Sequence, residues 1–315
     1  MKKISLIGAG NIGSILAYSI SRRKLGNIVL IDVVKDLAKG KCLDLEQSFA
    51  VDNIGIKING TEDITQIRDS DVIVITAGVA RKPGMSRDDL IEVNFSIISQ
   101  IGYAIKKYSP NAFVICVTNP LDAMTWSLKK IANLKKNKIV GMAGILDSAR
   151  FKYFLSKKMN ISMECIQTMV LGGHGDTMVP LLRYTSISGI QIEEFIKKKK
   201  IKMQDLEKII DKTRNGGGEI VSLLKNSSAF FSPASSAVEM VESYLHDQKK
   251  LIPCSAYLDG EFEEKDIFVG VPVIIGKNGI EKILEIDLTS KEQKQFSNSI
   301  NSVKELIKKC KKLLV

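Results

Sequence analysis

The sequence predicts a doubly wound α/β fold, and three observations carry that prediction. Short apolar runs alternate with helix-period segments through the first half of the chain. The runs Val72–Ile75 and Phe113–Val117 are apolar at successive positions, as strands covered on both faces must be. A glycine-rich turn, GAGNIG at 8–13, joins the first apolar run directly to the first helical segment.

Taken in order, KISLIGAG reads as a strand, IGSILAYSISRRK as a helix, NIVLID as a strand and DLAKGKCLDLEQS as a helix. A short IKING strand, DVIVITAG, the long helix DLIEVNFSIISQIGYAIKKYS and the strands AFVICVTNP and KIVGMAG follow. Beyond about residue 145 the texture changes. LDSARFKYFLSKKM is helical, CIQTMVLGGHG is a strand running into a loop, and a further helix lies near 204–214. Residues 254–288 read as antiparallel strands with glycine turns, and a long helix closes the chain. The expected organisation is therefore a parallel-sheet domain over 1–143 and an α+β domain over 144–315. No repeat or low-complexity linker separates them, so a broad interface is expected.

Composition narrows the function classes. With 44% apolar and 26% charged residues among 315, the chain is an ordinary globular protein. Its net charge of +11 comes mainly from lysine, thickest in IKKKKIKM (196–203) and IKKCKKLLV (307–315). Aromatic residues for base stacking are not interleaved there, so no nucleic-acid partner is expected. Five widely spaced cysteines without a CxxC pair encode neither a disulfide framework nor a zinc site, and reduced thiols suit a cytoplasmic setting. The N-terminus mimics a signal peptide, but Gly8, Gly10, Asn11 and Gly13 interrupt its apolar stretch, and it is read as part of the fold. No segment approaches the ~18 apolar residues of a membrane span, so no membrane partner is expected.

The chemistry-bearing stretches lie at strand ends. GAGNIG follows a strand, opens a helix and precedes a second strand ending at Asp32, which is the dinucleotide fingerprint in its structural context. Gly8 serves the tight turn, Gly10 the close approach to a pyrophosphate and Gly13 the helix packing, while the helix N-terminus favours phosphate. An acid at position 32 accepts ribose hydroxyls and repels a 2′-phosphate, so NAD is expected as cofactor rather than NADP.

TAGVARKPGMSRDDL (76–90) brings Arg81 and Arg87 to one loop, in a chain with eight arginines against 38 lysines. A planar guanidinium grips a carboxylate bidentately where an ammonium cannot. A loop closing over an anion and a pair of solvated charges both fit that stretch. VTNP (117–120) sets Asn119 at the end of another strand, and a plain Asn-Pro turn is its alternative. LDSARF puts Asp147 and Arg150 three residues apart on one helix face, where an internal salt bridge would also be unremarked. VLGGHGDTMVP (170–180) holds one of only two histidines, His174, among three glycines; a surface turn is the plain alternative to a loop that presents the imidazole to a pocket. The other histidine, His246, reads as a charge at a helix C-terminus.

In this order these stretches resemble the lactate/malate dehydrogenase family, and most closely its lactate-dehydrogenase-like malate dehydrogenases. The resemblance spans essentially the whole chain, including SAFFSPASSAVEMVESYL (228–245) and GVPVIIGKNGIEKI (270–283). It implies a Rossmann-type NAD-binding domain followed by a catalytic domain, with His174 as acid/base, Asp147 as its partner and Arg150 as the substrate-carboxylate clamp. Arg87 would be the loop arginine, Asn119 a substrate and cofactor contact, and the cofactor would meet Gly8, Ala9, Gly10, Asn11, Ile12, Gly13, Asp32, Asn94 and the Val117, Thr118 and Asn119 backbone. No metal is implied. Malate enzymes of the family carry arginine at the position of Arg81 and lactate enzymes commonly glutamine, so a small dicarboxylate, malate or oxaloacetate, is the expected substrate and lactate the runner-up. The resemblance also implies a homodimer or homotetramer. Two other classes fit parts of the pattern: an NAD-dependent glycosidase, for which Cys165 and His174 lie nine apart, and a non-catalytic NAD-sensing module.

Overall fold

The computed structural model describes residues 1–79, 87–225 and 227–314, with the backbone alone at Arg87. Along the first half run β1 (Lys3–Ile7), α1 (Asn11–Arg22), β2 (Asn27–Ile31), α2 (Leu37–Asp52), β3 (Ile58–Thr61), β4 (Val72–Ile75), α3 (Arg87–Tyr108), β5 (Phe113–Cys116), α4 (Leu121–Ala132) and β6 (Ile139–Gly141). The second half comprises α5 (Gly144–Met159), β7 (Ile166–Gln167), β8 (Val170–Leu171), β9 (Val179–Pro180), β10 (Ser186–Ile187), β11 (Ile190–Gln191) and α6 (Ile192–Lys197). It continues through α7 (Met203–Leu224), α8 (Phe231–Leu245), β12 (Lys250–Asp259), β13 (Lys265–Gly276), β14 (Gly279–Ile283) and α9 (Ser290–Leu313).

Strands β1 to β6 pair in parallel in the order β3-β2-β1-β4-β5-β6, the doubly wound arrangement whose strand order reverses beside β1. All residues of β4 and β5 are buried, which is why their sequences are continuously apolar instead of alternating. Helix α4 is almost wholly buried as well, since α3 and α9 cover it on the side away from the sheet. A capping box at Thr289 and Glu292 starts α9.

Three expectations change. The antiparallel strands do not form a sheet of their own: β12, β13 and β14 extend the parallel sheet past β6, through the single pairing of Ser255 with Gly141. The stretch expected as one strand before His174 is two, because β7 pairs with β10 while β8 pairs with β9. Between them Ser148 takes both the Thr168 hydroxyl, on its carbonyl, and the Val170 N–H, on its own hydroxyl. The helix expected near 204–214 continues to Leu224 through three consecutive glycines. Each glycine costs an α-helix about 1 kcal/mol relative to alanine.

Candidate active site

The first part of the site is the turn after β1. Gly8 has φ +111, and a Cβ there would lie 2.7 Å from both the Ala77 nitrogen and Thr76 Oγ1. A Cβ on Gly13 would fall 1.9 Å from the Gly8 carbonyl oxygen, so α1 can sit this close to the turn only without a side chain. Gly10 faces open space, with nothing within 4 Å of its Cβ position, and no side chain caps α1. The uncapped N–H groups of a twelve-residue helix thus meet a cradle that a ligand can approach closely.

Asp32 follows β2 and lies against the same turn. Its Oδ2 accepts from the Ala9 N–H at 2.6 Å and its Oδ1 from the Val34 N–H at 2.9 Å. The carboxylate therefore borders the cradle, as a ribose-binding acid must, and a 2′-phosphate would meet its charge. These groups fit NAD. Lys41 of α2, to which the sequence drew no attention, donates to the Ala9 carbonyl at 2.6 Å and to Ser14 Oγ at 2.8 Å. No local motif marks it; it is legible only once α2 is seen to pack beside the turn.

Asn94 is fully buried in α3 and acts as a brace. Its Oδ1 accepts from the Val79 N–H at 2.8 Å, and its Nδ2 donates to the Val79 carbonyl at 3.1 Å and the Asn119 carbonyl at 2.6 Å. It holds the ends of two neighbouring strand-to-helix connections together. Val117 and Thr118 are buried beneath them, with the Thr118 hydroxyl bonded to the Ala77 carbonyl at 2.7 Å, while Asn119 is exposed at the sheet's carboxyl edge. Arg81 lies outside the described residues, as does the rest of 80–86 within the 76–90 stretch, and the Arg87 backbone opens α3.

The second part of the site assembles around His174. Its Nδ1 lies 2.9 Å from Asp147 Oδ2, and Asp147 Oδ1 lies 3.6 Å from Arg150 Nη1, so the three sequence candidates do converge. Asp147 is almost completely buried, and the side chains of His174 and Arg150 are only 15% and 14% exposed. Among the described residues, the buried side-chain atoms without a hydrogen-bond partner are Asp147 Oδ1 and Arg150 Nε. A guanidinium held in place with an unpaired donor is poised for an anion supplied from outside.

Glycines 216 and 217 of α7 pack on that guanidinium. Cβ atoms added to them would stand 3.5 Å from Arg150 Cδ and 3.6 Å from Arg150 Nη2. Both distances are ordinary van der Waals contact, so an alanine would fit at either position, and nothing in the packing requires glycine there.

The loop itself is anchored at each residue. Gly172 has φ +91 and exchanges two main-chain hydrogen bonds with Gly270 of β13, the Gly173 N–H donates to Ser299 Oγ of α9 at 2.8 Å, and the His174 N–H donates to Asp122 Oδ2 of α4 at 2.9 Å. Asp122 and Ser299, like Lys41, are site residues that sequence reasoning missed. Asp122 directly follows the VTNPL stretch, which is the one signal that could have drawn attention to it; Ser299 has none.

Burial pulls the His174 pKa down, but the charge and hydrogen bond of Asp147 outweigh that and the opposing charge of Arg150, so the net shift is upward. With Nδ1 directed at Asp147, Nε2 is left to exchange a proton. Burial lowers the Arg150 pKa against the pull of Asp147, and a guanidinium nonetheless stays charged. Among the described residues, no group of three or more His, Cys, Asp or Glu side chains is arranged to hold a metal, and no helix is long and apolar enough to cross a membrane.

A dinucleotide-type cradle at the switch point of a doubly wound sheet, with a carboxylate-oriented histidine beside a guanidinium, defines a protein of the nucleotide-dependent oxidoreductase class. Family models agree and go further. The lactate/malate dehydrogenase NAD-binding domain matches residues 2–141, and the lactate/malate dehydrogenase alpha/beta C-terminal domain matches 145–314. The chain belongs to the lactate/malate dehydrogenase family. It is 55% identical over 307 residues to a malate dehydrogenase of Pelagibacter ubique (strain HTCC1062), covering 97% of this chain and 96% of that one.

Among solved structures, the malate dehydrogenase of Cryptosporidium parvum is 45% identical with a TM-score of 0.97, and the match covers 99% of each chain. The lactate dehydrogenase of Cryptosporidium parvum, complexed with lactic acid and nicotinamide adenine dinucleotide, is 41% identical with a TM-score of 0.95 over 98% of each. Family membership answers the glycosidase alternative. The near-equal scores show that the backbone does not separate malate from lactate enzymes, so the choice falls on side chains.

Proposed function

We propose that this chain is an NAD-dependent malate dehydrogenase, interconverting malate and oxaloacetate with His174 as general acid/base. The observation that carries the reading is the buried Asp147–His174 pair with the Arg150 guanidinium against the same carboxylate. Gly8 to Gly13 and Asp32 would hold the cofactor, with the Val117–Asn119 backbone and the Asn94 brace beside it. Held there, NAD would supply the acceptor for the hydride at C2 of malate, and NADH the donor to oxaloacetate. Arg150 grips the substrate's C1 carboxylate through paired N–H donors. His174 Nε2 takes the hydroxyl proton of malate, and in the other direction gives a proton to the keto oxygen of oxaloacetate. Asp147 orients the ring and stabilises the imidazolium. Arg87 would polarise the keto oxygen.

Arg81 decides between substrates in this reading. Oxaloacetate brings a second carboxylate to it, whereas pyruvate would leave a desolvated arginine unpaired, at a cost of about 3–5 kcal/mol. The 55% identity to a malate dehydrogenase supports the same choice. The reading also takes the chain as a cytoplasmic homodimer or homotetramer, divided into a cofactor domain over 1–143 and a catalytic domain over 144–315. The test is NADH absorbance followed with oxaloacetate and pyruvate side by side. Faster turnover of oxaloacetate is expected, with Arg81→Gln shifting preference toward pyruvate; faster reduction of pyruvate by the parent protein would overturn the substrate assignment.

A further inference from the structure

One buried carboxylate touches the His174 loop and has no part in the chemistry above. Asp122, in the first turn of α4, is 4% exposed. Its Oδ2 accepts the main-chain N–H of His174 at 2.9 Å, and its Oδ1 accepts the Ser255 hydroxyl of β12 at 2.6 Å. An asparagine could accept that N–H equally well. Burying an ion costs several kcal/mol even after relaxation, far more than burying a hydrogen-bonded amide, so geometry alone does not account for an acid here.

A nearby cation does account for it, and the imidazole becomes one in each catalytic cycle. Among the described residues, the charged groups nearest that ring are Asp147 and Arg150 from α5 and Asp122 from α4; Ser255 of β12 bonds Asp122, Ser299 of α9 accepts the Gly173 N–H, and Asp176 lies two residues further along the loop.

We propose that Asp122 is a positioning residue for the reaction: it fixes His174 by its main-chain N–H, ties that loop to β12 through Ser255, and supplies a second negative charge beside the imidazole. The proposal rests on the reading of His174 as acid/base. Asp122 adds to the influences that raise the His174 pKa. Burial raises its own pKa and so works against its charged form, while the hydrogen bonds from Ser255 and the His174 N–H and the charge of His174 oppose that shift. Asp122 also follows Asn119 by three residues, so one short segment joins the sheet edge at the substrate cleft to the histidine loop.

The test compares Asp122→Ala and Asp122→Asn with the parent enzyme in oxaloacetate reduction across pH, with NADH affinity measured by fluorescence. Asp122→Ala removes the anchor, and turnover is expected to fall by up to about 10²-fold, the penalty of a catalytic group displaced by about 1 Å, with NADH affinity retained. Asp122→Asn keeps the shape and the acceptor, and is expected to restore part of that turnover. Its alkaline limb should lie at lower pH than the parent's, because the charge holding the imidazolium is gone. An unmoved limb in the Asn variant overturns the proposal, as does an Ala variant whose turnover and NADH affinity fall together. If the Ala variant does not fold, the limb of the near-isosteric Asn variant decides alone. A parent enzyme that oxidises NADH with neither oxaloacetate nor pyruvate overturns the underlying reading, a result distinct from an active parent with unmoved variants.

Discussion

Two glycine-rich loops meet at this site, and they are held in place in opposite ways. The Gly8–Gly13 turn is secured chiefly from within the first half, by Thr76, whose hydroxyl reaches the Gly8 carbonyl at 3.1 Å, by Asp32 and by Lys41, with an exposed bond from Asn11 Nδ2 to Ser227 Oγ at 3.3 Å reaching beyond it. The Gly172–Gly175 loop is secured from across the chain, by Asp122 52 residues before it, Ser299 126 residues after it and Gly270 of β13. The first binds phosphate with backbone and dipole, which need only local geometry. The second must aim one imidazole, and aiming needs fixed points from several directions.

Substitutions can separate the two loops. The largest effect is expected for His174→Ala, which should lower turnover by roughly 10²–10⁴-fold while NADH still quenches or transfers fluorescence as in the parent; lost cofactor binding would mean that the loops do not act separately. Asp147→Asn should come next. The Asp147 charge raises the His174 pKa, and oxaloacetate reduction needs the protonated ring, so activity is lost as pH rises through that pKa. Removing the charge should move the alkaline limb of the rate profile to lower pH as well as reduce its height.

Gly13→Ala attacks the other loop. Its Cβ would stand 1.9 Å from the Gly8 oxygen, and forcing the backbone apart should cost about 1–3 kcal/mol. That loss should be read as weaker NADH binding and a lower melting temperature, with the pH profile unshifted. Ser299→Ala is the mildest probe. It removes the acceptor of the Gly173 N–H, worth about 1–3 kcal/mol when left unsatisfied in the interior, and should reduce turnover more than NADH affinity; the reverse pattern would blur the distinction between the loops.

The same contrast explains what could be read in advance. The first loop, the succession of strands and helices through β6 and the shared helix face of Asp147 and Arg150 are local patterns, and the structure reproduces them. That His174 meets Asp147, 27 residues earlier, was implied by family resemblance rather than by spacing. Beyond its place after VTNPL, nothing in the sequence sets Asp122 apart, because its burial depends on α9 and β12, which arrive far later in the chain. The helix expected near 204–214 falls short of the observed Leu224 end, because nothing local marks a continuation through three glycines. Strands β12 to β14 carry their own turns and gave no sign of the one pairing that joins them to β6.

That pairing has a mechanical consequence. Main-chain contact between Ser255 and Gly141 makes β12 the neighbour that covers the outer border of the six parallel strands. A chain cut after residue 143 would leave that border bare, and exposed strand borders invite aggregation. The two halves are thus sewn along a common seam, so melting should proceed as one cooperative event rather than half by half.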